Sequence, residues 1–450
     1  MGAFKAYDIR GIYNKDFNKH DVYRIGFFLP QLLKSTKVLV GRDIRESSDE
    51  IFEALAHGIT DAGADVYDLG LSTTPMVYWA TANFGFDASV QITASHNPRE
   101  YNGMKVSRTL AMPVGYDTGL GELEKLVRNT PVEPVIRRGT IHPFPVHSDY
   151  VDFIRGFMSD FSKLKIAIDC SNGMAAMLVK EFFGNAPAYI YDEMDGTFPN
   201  HEPNPLEEEN VEDLKKLVVR EKCDLGIIFD GDADRVMFVD EKGRFVRPDL
   251  MIALLGHYFK NKGRLGSVVM DIRSSKGVES YLNKLGFQCY LWRVGRAYAT
   301  PKLRELDATF GGELAGHYYM KDFYYSDSAF LAVMLMLDVI ATHHEQGMPF
   351  SQLIENINAG WANSGEVNFR IEQKAKAMEA LRDHFNAIES PQVFLDFDGF
   401  RLEYASWWFN VRPSNTEPYL RFLAEATSHE ILDQKLREVK EVLSRFQENE

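Results

Sequence analysis

The chain has 450 residues, 45% hydrophobic and 26% charged, so it is long enough for three or four domains of an ordinary soluble globular protein. Its net charge of −15 argues against nucleic acid or an anionic membrane as the main partner, and an anionic substrate would need a locally basic pocket. Cys170, Cys223 and Cys289 are too few and too far apart to indicate a disulfide framework or a zinc site. Because we find no signal-peptide pattern and no apolar run long enough to span a bilayer, we expect a reduced, cytoplasmic protein with no membrane partner.

The first part of the chain alternates short apolar runs with segments of helical spacing. Strands are predicted at residues 37–40, 66–69 and 88–93, and helices at residues 46–62 and 76–84. Strands that alternate with helices indicate a mainly parallel sheet with helices on both faces. In such sheets, ligands bind at the loops that follow the carboxyl ends of the strands.

A polar loop, residues 93–98, follows the third of these strands and contains Ser95 and His96. A serine in this position can act as a nucleophile or a phosphate carrier, although the adjacent histidine need not face it. The same residues would also form an ordinary turn closed by a proline. Lys105, a few residues later, would supply a cation to the same pocket. Arg10, which precedes a glycine, would present its guanidinium at a turn or belong to a solvated loop.

A second unit begins after residues 130–145, a segment rich in proline, arginine and β-branched side chains that is predicted to be a connector. The unit is predicted to contain a strand at residues 165–168 and helices at 174–183 and 207–221. It ends at an acidic loop, residues 230–235, between two apolar runs that predict short buried strands.

Three carboxylates, those of Asp230, Asp232 and Asp234, alternate along this acidic loop and repel one another strongly. A divalent cation removes that repulsion, and Mg²⁺ takes oxygen ligands while leaving positions for water or phosphate oxygens. Arg235 suits a phosphate that approaches both the metal and a guanidinium. The alternative is a solvated acidic turn. A calcium loop is excluded because it requires glycine where the chain has Arg235, and because it requires helical flanks.

A third unit repeats the plan of strand followed by helix. A helix is predicted at residues 250–258, a strand at 267–272, a helix at 276–285, a strand at 288–291 and a buried helix at 328–341. Because three units each lead from an apolar strand into a helix, we predict a structural repeat.

Small residues surround Glu313 and His317 in the third unit, which lets a ligand approach closely. Glu313 would accept hydrogen bonds from vicinal hydroxyls, and His317 would assist proton transfer. The alternatives are a glutamate that caps a helix and a histidine satisfied within the fold.

The final segment is predicted to be a smaller α/β unit after a linker at residues 360–365, which is a candidate hinge. This unit carries a run of hydroxyl, amide and guanidinium groups that would form a cradle for a phosphate. The residues of the cradle are Arg412, Ser414, Asn415, Thr416 and Arg421.

The four loops, taken in order, resemble those of the α-D-phosphohexomutases, and most closely those of the phosphomannomutase/phosphoglucomutase group. The resemblance covers nearly the whole chain. It implies three similar mixed-sheet α/β domains plus a smaller C-terminal α/β domain around a central cleft. The implied bounds are 1–145 for a phosphoserine domain, 146–247 for a metal-binding domain, 248–362 for a sugar-recognition domain and 363–450 for a phosphate-binding domain.

The resemblance also implies an activity and the residues that perform it. The activity is the interconversion of hexose 6-phosphate and hexose 1-phosphate, with mannose or glucose as the sugar, through phosphoserine and a hexose 1,6-bisphosphate that also serves as activator. Ser95 would be the phosphoserine and would hold Mg²⁺ together with Asp230, Asp232 and Asp234. The other implied catalytic residues are His96, Lys105, Arg235 and His317. The implied substrate-binding residues are Tyr7, Arg10, Arg273, Arg296, Glu313, Arg412, Ser414, Asn415, Thr416 and Arg421.

Departures from the family pattern bear on the sugar. Leu314 and Ala315 stand where methionine and serine are common, Arg296 replaces a histidine, and Arg273 replaces a lysine. These changes leave the phosphoryl chemistry intact. The alternatives are a phosphoglucosamine mutase, a hydrolase that uses Asp230 as its nucleophile, and a non-catalytic sugar-phosphate binding protein.

Overall fold

The computed structural model describes residues 2–414 and 419–447, which form four α/β domains. The elements of the first domain are β1 (Ile9–Ile12), α1 (Lys19–Leu33), β2 (Lys37–Arg42), α2 (Ser48–Asp61), β3 (Asp65–Leu71), α3 (Thr74–Asn83), β4 (Ala88–Ile92), β5 (Tyr101–Arg108), β6 (Met112–Pro113), α4 (Leu120–Asn129) and β7 (Ile141–Pro143). The sheet has the order β1-β5-β4-β2-β3-β7, with β6 beside β5. Strands β4, β2, β3 and β7 are parallel, whereas β5 is antiparallel to β4 and β1.

The second domain contains a smaller sheet of the same mixed kind. Its elements are α5 (His147–Arg155), β8 (Ile166–Asp169), α6 (Val179–Phe183), β9 (Ala188–Ile190), α7 (Glu212–Glu221), β10 (Leu225–Phe229), β11 (Val236–Asp240) and β12 (Phe245–Val246). The strand order is β12-β11-β10-β8-β9. Strand β8 is parallel to β9 and β10, and β11 is antiparallel to β10 and β12.

The third domain repeats this arrangement. Its elements are α8 (Pro248–Asn261), β13 (Ser267–Asp271), α9 (Lys276–Leu285), β14 (Gln288–Trp292), α10 (Arg296–Glu305), β15 (Phe310–Gly312), β16 (Tyr318–Met320), β17 (Ser326–Asp327), α11 (Ala329–Glu345) and α12 (Phe350–Asn358). The strand order is β14-β13-β15-β16-β17. Strand β13 is parallel to β14 and β15, and β16 is antiparallel to β15 and β17.

In each of these three domains, the candidate functional loop joins the last parallel strand to its antiparallel neighbour. The serine loop (residues 93–100) joins β4 to β5, the acidic loop (230–235) joins β10 to β11, and the Glu/His loop (313–317) joins β15 to β16. A parallel pair needs a crossover of roughly a dozen residues or more, so these short loops require the reversal of direction. The sheets are therefore mixed, as the family resemblance implied, whereas the alternation of strands and helices alone indicated a mainly parallel arrangement.

The fourth domain is an antiparallel sheet packed against helices. Its elements are β18 (Ala362–Asn363), β19 (Val367–Arg370), α13 (Lys374–Ile388), β20 (Val393–Leu395), β21 (Phe400–Glu403), β22 (Trp407–Pro413), β23 (Tyr419–Ala426) and α14 (His429–Ser444). The strand order is β18-β23-β22-β21-β20, with β19 beside β23. Asn415 and Thr416, two residues of the predicted phosphate cradle, lie outside the described residues.

One continuous cluster of buried apolar side chains joins the first three domains, with Trp79, Phe229 and Phe330 among its members. The ring of Phe330, on α11, stacks on that of Phe229 with centroids 4.8 Å apart. The fourth domain has a separate core around Phe385. The first three domains thus share a core, and the fourth carries its own.

Most predicted elements are confirmed, with ends that shift by a few residues. The prediction was wrong at the connector, because residues 141–143 form β7 and extend the first sheet. It was also wrong about the helix at 174–183, which is a 3₁₀ turn over Met174–Met177 followed by α6. Within the linker at 360–365, β18 pairs with β23, so the polypeptide enters the fourth domain as part of its sheet.

Candidate active site

Ser95 lies directly against the acidic loop. The residue follows β4, is buried, and has a φ of 52°, in the left-handed region that is unfavourable for a side chain with a Cβ. Its backbone N–H donates to Oγ1 of Thr93 at 2.9 Å, and its hydroxyl donates to Oδ2 of Asp230 at 2.9 Å. The serine hydroxyl of the first domain therefore meets the first carboxylate of the second.

The acidic loop brings three buried carboxylates together. One oxygen from each of Asp230, Asp232 and Asp234 lies within 4.8 Å of the others. Oδ1 of Asp230 accepts hydrogen bonds from the backbone of Asp234 and of Arg235, each at 3.1 Å. The turn is completed by Ala233, which has a φ of 59°.

Two oxygens of this triad, Oδ1 of Asp232 and Oδ1 of Asp234, are buried and accept no hydrogen bond. Burial, together with Asp232 and Asp234, raises the pKa of Asp230 well above its usual range. Buried carboxylate oxygens without a donor are unfavourable unless a cation meets them. The donor set, three carboxylates with a hydroxyl beside them, fits a hard divalent cation such as Mg²⁺.

Lys105, on β5, faces the same carboxylates. Its Nζ lies 2.7 Å from Oδ2 of Asp232 and 2.5 Å from Oδ2 of Asp234. Burial alone would lower the pKa of Lys105, but these two carboxylates raise it well above its usual value. The ammonium group therefore remains charged and neutralises part of the triad.

His96 borders the serine on the other side. Its Nδ1 lies 3.3 Å from Oγ of Ser95. Burial, followed by the charges of Arg235 and Arg10, lowers the pKa of His96 well below its usual value. Arg10 itself donates to Oδ1 of Asn97 at 2.8 Å, which anchors it to the serine loop. The hydroxyl is thus flanked by a neutral imidazole.

His317 uses both ring nitrogens within the site. Its Nδ1 lies 2.5 Å from Oδ2 of Asp327, and its Nε2 lies 2.9 Å from Nε of Arg235. Because a guanidinium only donates, Nε2 is the acceptor and the ring proton lies on Nδ1. In this arrangement His317 orients Arg235, the last residue of the acidic loop.

Glu313 begins the Glu/His loop and is buried. Its Oε1 accepts hydrogen bonds from the backbone N–H of Gly295 at 3.1 Å and from the hydroxyl of Tyr319 at 2.8 Å. Burial raises the pKa of Glu313. Within residues 2–414 and 419–447, no group donates a hydrogen bond to its Oε2, so that oxygen can accept one from a ligand hydroxyl.

Guanidinium groups from the third and fourth domains converge at the cleft. Arg273 is held by Asp271, with Nη2 2.8 Å from Oδ2. Burial and the charge of Arg273 lower the pKa of Arg412. A bound phosphate would relieve this repulsion between like charges.

Two carboxylates contact these guanidinium groups. Glu366 accepts from Nη1 of Arg421 at 3.0 Å and lies 3.8 Å from Nη1 of Arg273. Asp398 accepts from the backbone N–H of Val294 at 2.8 Å and lies 3.9 Å from Nη1 of Arg412. A phosphate would therefore compete with these carboxylates for the guanidinium groups.

The other predicted ligand residues lie around the same cleft. Tyr7 packs edge-on against Tyr298, and burial, followed by Asp398, raises its pKa to about 12. The backbone N–H of Ser414 donates to the carbonyl of Tyr419 at 2.8 Å, and its own carbonyl accepts from Nζ of Lys374 at 2.9 Å.

Arg296 is held between the first and third domains. Its guanidinium lies 3.6 Å from the ring centroid of Tyr78, and its Nη2 donates to the carbonyl of Ala111 at 2.5 Å. Its Nε lies 3.3 Å from Oδ1 of Asp327. Arg296 therefore supports the carboxylate that holds His317.

Several residues at the site were missed by sequence reasoning: Arg45, Asp271, Asp327 and Asp398. Arg45 and Asp271 stand at or just after the carboxyl ends of β2 and β13, and the rule that ligands meet strand ends could have flagged them. Asp327 and Asp398 carry no local signal, because each is identified only by a partner distant in the sequence.

Comparisons with known proteins match this architecture domain by domain. Four family models match in order: phosphoglucomutase/phosphomannomutase alpha/beta/alpha domain I at residues 1–130, domain II at 148–243, domain III at 247–359, and the C-terminal domain at 366–442.

None of the helices within residues 2–414 and 419–447 is long and apolar enough to cross a membrane.

Individual relatives are similar over almost their whole length. A phosphomannomutase of Salmonella montevideo is 33% identical over 457 residues, covering 99% of both chains. A phosphomannomutase of Methanocaldococcus jannaschii is 32% identical over 454 residues, covering 99% of this chain and 98% of its own. A crystal structure of a phosphoglucomutase/phosphomannomutase family protein from Burkholderia thailandensis is 26% identical, with a TM-score of 0.87 over 99% of this chain and 97% of that one.

Proposed function

The chain belongs to the phosphoglucomutase/phosphomannomutase family and is a hexose phosphate mutase, and from that premise we propose that Ser95 carries the phosphoryl group between the two positions of the sugar. The observation that carries this proposal is the 2.9 Å hydrogen bond between Oγ of Ser95 and Oδ2 of Asp230. It joins a serine hydroxyl to a carboxylate cluster suited to a divalent cation. A phosphoryl group on that oxygen would lie beside the acidic loop and Arg235.

The reaction consists of two transfers in opposite directions. In the first, the P–Oγ bond of phospho-Ser95 breaks and a bond forms between phosphorus and the free hydroxyl oxygen of the hexose monophosphate; that hydroxyl loses its proton, and Oγ of Ser95 takes one up to become a hydroxyl again. The product is a hexose 1,6-bisphosphate. After this intermediate turns over in the cleft, its other phosphoryl group returns to Ser95. Such transfers depend on in-line positioning and charge neutralisation.

Mg²⁺ held by Asp230, Asp232, Asp234 and Ser95 would supply positive charge to the transferring phosphoryl oxygens. Lys105 and Arg235 neutralise the charge that remains on the triad and the phosphoryl group. His317 and Asp327 keep Arg235 in place.

The substrate is gripped at two ends. The non-reacting phosphate binds the guanidinium groups of Arg273, Arg412 and Arg421, in place of the carboxylates that now contact them. Glu313 accepts hydrogen bonds from sugar hydroxyls. Exclusion of water from the closed cleft keeps the phosphoryl group from being lost to hydrolysis.

Mass spectrometry of the purified protein tests the carrier. We expect phosphate on Ser95 and its loss after incubation with a hexose monophosphate. Phosphate trapped on Asp230 instead would contradict the assignment and favour an aspartyl-phosphate hydrolase. Ser95→Ala should abolish turnover while sugar-phosphate binding persists. The control is Ser89→Ala, which changes another buried serine, on β4.

The sugar is mannose or glucose, with a small preference between them. These sugars differ only at the C2 hydroxyl, and the side chains of Leu314 and Ala315 beside Glu313 bring no polar group to read it. We expect activity on both mannose and glucose phosphates, with transition-state free energies from kcat/KM within roughly 1–3 kcal/mol of each other. Glucosamine phosphate should be a poor substrate, and a strong preference for it would show that the Glu313 loop was misread.

A coupled assay separates a mutase from a sugar-phosphate sensor with the same fold. It converts mannose 1-phosphate to the 6-phosphate with Mg²⁺ and a trace of hexose 1,6-bisphosphate as activator. A sensor would bind these compounds without turnover. The acidic loop and Ser95 favour the mutase, because binding alone does not require a phosphate carrier.

A further inference from the structure

Arg45 is a fully buried guanidinium that is saturated by the loop carrying Ser95. It follows β2, and its side chain has no exposed surface. Two of its nitrogens donate to three backbone carbonyls of the serine loop and to that of Tyr101, the first residue of β5, and its Nε donates to a carboxylate. Nη2 donates to the carbonyls of Ser95 (2.8 Å) and Asn97 (2.6 Å), Nη1 to those of Pro98 (2.7 Å) and Tyr101 (3.1 Å), and Nε to Oδ2 of Asp43 (3.2 Å).

These contacts explain how the loop holds an unfavourable backbone. Carbonyl oxygens of one short loop that point towards a common centre repel one another unless a donor lies between them. Ser95 also has a left-handed φ of 52°, a conformation unfavourable by roughly 1–2 kcal/mol for a residue with a Cβ. The guanidinium of Arg45 offsets both the repulsion between the carbonyls and the cost of this backbone conformation, since it supplies five donors in one rigid plane.

Arg45 also links this loop to the second domain. Its guanidinium lies 4.9 Å from the ring centroid of Phe198. Pro203, a few residues after Phe198, packs beside Gly231 of the acidic loop, where an added Cβ would lie 3.3 Å from the proline ring. The segment that meets Arg45 therefore also contacts the acidic loop.

We propose that Arg45 is a positioning residue for phosphoryl transfer, which holds the serine loop so that Oγ of Ser95 faces the acidic loop. This inference rests on the proposal that Ser95 carries the phosphoryl group. Arg45 does not touch the reacting atoms. It acts through the backbone carbonyls of Ser95, Asn97, Pro98 and Tyr101.

Arg45→Lys tests this role because lysine keeps the charge but offers three donors from a single point, which cannot bridge four carbonyls and Asp43. We expect kcat to fall by about a hundredfold, the effect of a misplacement near 1 Å, with KM little changed. The matched control is Arg24→Lys. Arg24 is another arginine of the first domain that donates to two carbonyls, of Val127 (2.7 Å) and Thr130 (2.6 Å), away from the serine loop.

A purely structural role would give a different result. In that case Arg45→Lys and Arg24→Lys would both lower the melting temperature, and the folded fraction of each would retain normal kcat. Equal kcat per folded molecule in the two variants would overturn the inference. For Arg45→Ala, millimolar guanidinium should restore part of kcat, and the same addition should leave Arg24→Ala unchanged.

Two further measurements keep the outcomes distinct. If both Arg45 variants fail to fold, Asp43→Asn replaces them, because it removes the charge that anchors Nε of Arg45. This variant should lower kcat without changing KM. An unchanged kcat would reject the inference. Phosphate on Ser95 of the wild-type protein is measured in parallel. Its absence would refute the proposed carrier, whereas its presence with normal kcat in Arg45→Lys would refute only the role of Arg45.

Discussion

Nε of Arg235 donates to Nε2 of His317 across 2.9 Å, which joins the acidic loop of the second domain to the Glu/His loop of the third. The other ring nitrogen of His317 bonds to Asp327, so one histidine connects a buried carboxylate to a guanidinium of the acidic loop. This chain of contacts determines which nitrogen of His317 carries the proton.

Asp327→Asn should disturb that tautomer. An asparagine amide can donate to Nδ1, which moves the ring proton to Nε2, where it opposes the N–H of Arg235. We expect kcat to fall by about 10–100-fold, the usual effect of losing a partner that orients a site residue. Asp322→Asn, which breaks a more exposed pair with Arg264, is the control and should retain full activity. Wild-type kcat in Asp327→Asn would show that the tautomer is irrelevant.

Lys105→Met should separate metal affinity from turnover. The ammonium group lies 2.7 Å and 2.5 Å from the carboxylates of Asp232 and Asp234, so it competes with a divalent cation for the same charge. We expect Mg²⁺ to bind about tenfold more tightly or better in the variant, because a neighbouring positive charge is removed. Turnover should decrease, since the ammonium group of Lys105 also neutralises charge on the phosphate.

Isothermal titration calorimetry with Mg²⁺ and the dephosphorylated protein measures this effect. Lys163→Met is the control, because Lys163 forms an exposed pair with Glu345 far from the acidic loop and its loss should not change the affinity. Weaker Mg²⁺ binding in Lys105→Met would mean that the lysine helps to hold the ion.

Gly231→Ala should push the serine loop away from the acidic loop. A Cβ at this position would lie 2.5 Å from the backbone carbonyl oxygen of Ser95, closer than atoms can approach. We expect a loss of kcat on the order of a hundredfold, since the two loops must separate to admit the methyl group. Gly156→Ala, at an exposed helix end with its nearest neighbour at 3.2 Å, should be nearly neutral. Equal activities of the two variants would contradict a close contact between the loops.

His257 should make stability depend on pH. Burial, with His343 and Lys260 nearby, lowers its pKa from 6.5 to about 4, and its Nε2 lies 2.7 Å from the hydroxyl of Tyr281. Between these two values the unfolded chain binds a proton at this site and the folded protein does not. The free energy of unfolding should therefore fall as the pH is lowered from 6.5 towards 4, by roughly 1–2 kcal/mol from this group after allowance for its partial exposure.

Urea unfolding of the wild type and of His257→Gln between pH 4.5 and 7.5 measures this contribution. The glutamine does not titrate, yet it can still accept from Tyr281. As the pH is lowered across this range, the unfolding free energy of His257→Gln should rise relative to that of the wild type. A difference that is constant with pH would mean that His257 has an ordinary pKa.

The sequence by itself determined the elements and the loops that follow them. Hydrophobic periodicity is local, so it located α9 with the observed bounds and placed the Ser95 loop and the acidic triad at strand ends, whereas the short strand β15 before the Glu/His loop was not predicted. The rule that ligands bind at the carboxyl ends of strands made the Ser95 loop a candidate site, and the family resemblance implied one shared cleft. The family resemblance then gave those residues their expected roles.

Only the tertiary structure decided how the side chains are paired. Arg45 meets the carbonyl of Ser95 from 50 residues away, and Arg235 meets His317 from 82 residues away. Local pattern cannot contain such pairs, because they are created when separate domains pack around a shared core. The same packing made β7 a strand and held Arg296 between domains. It also left two carboxylate oxygens of the triad without a donor, and this is the physical reason that a cation fits there.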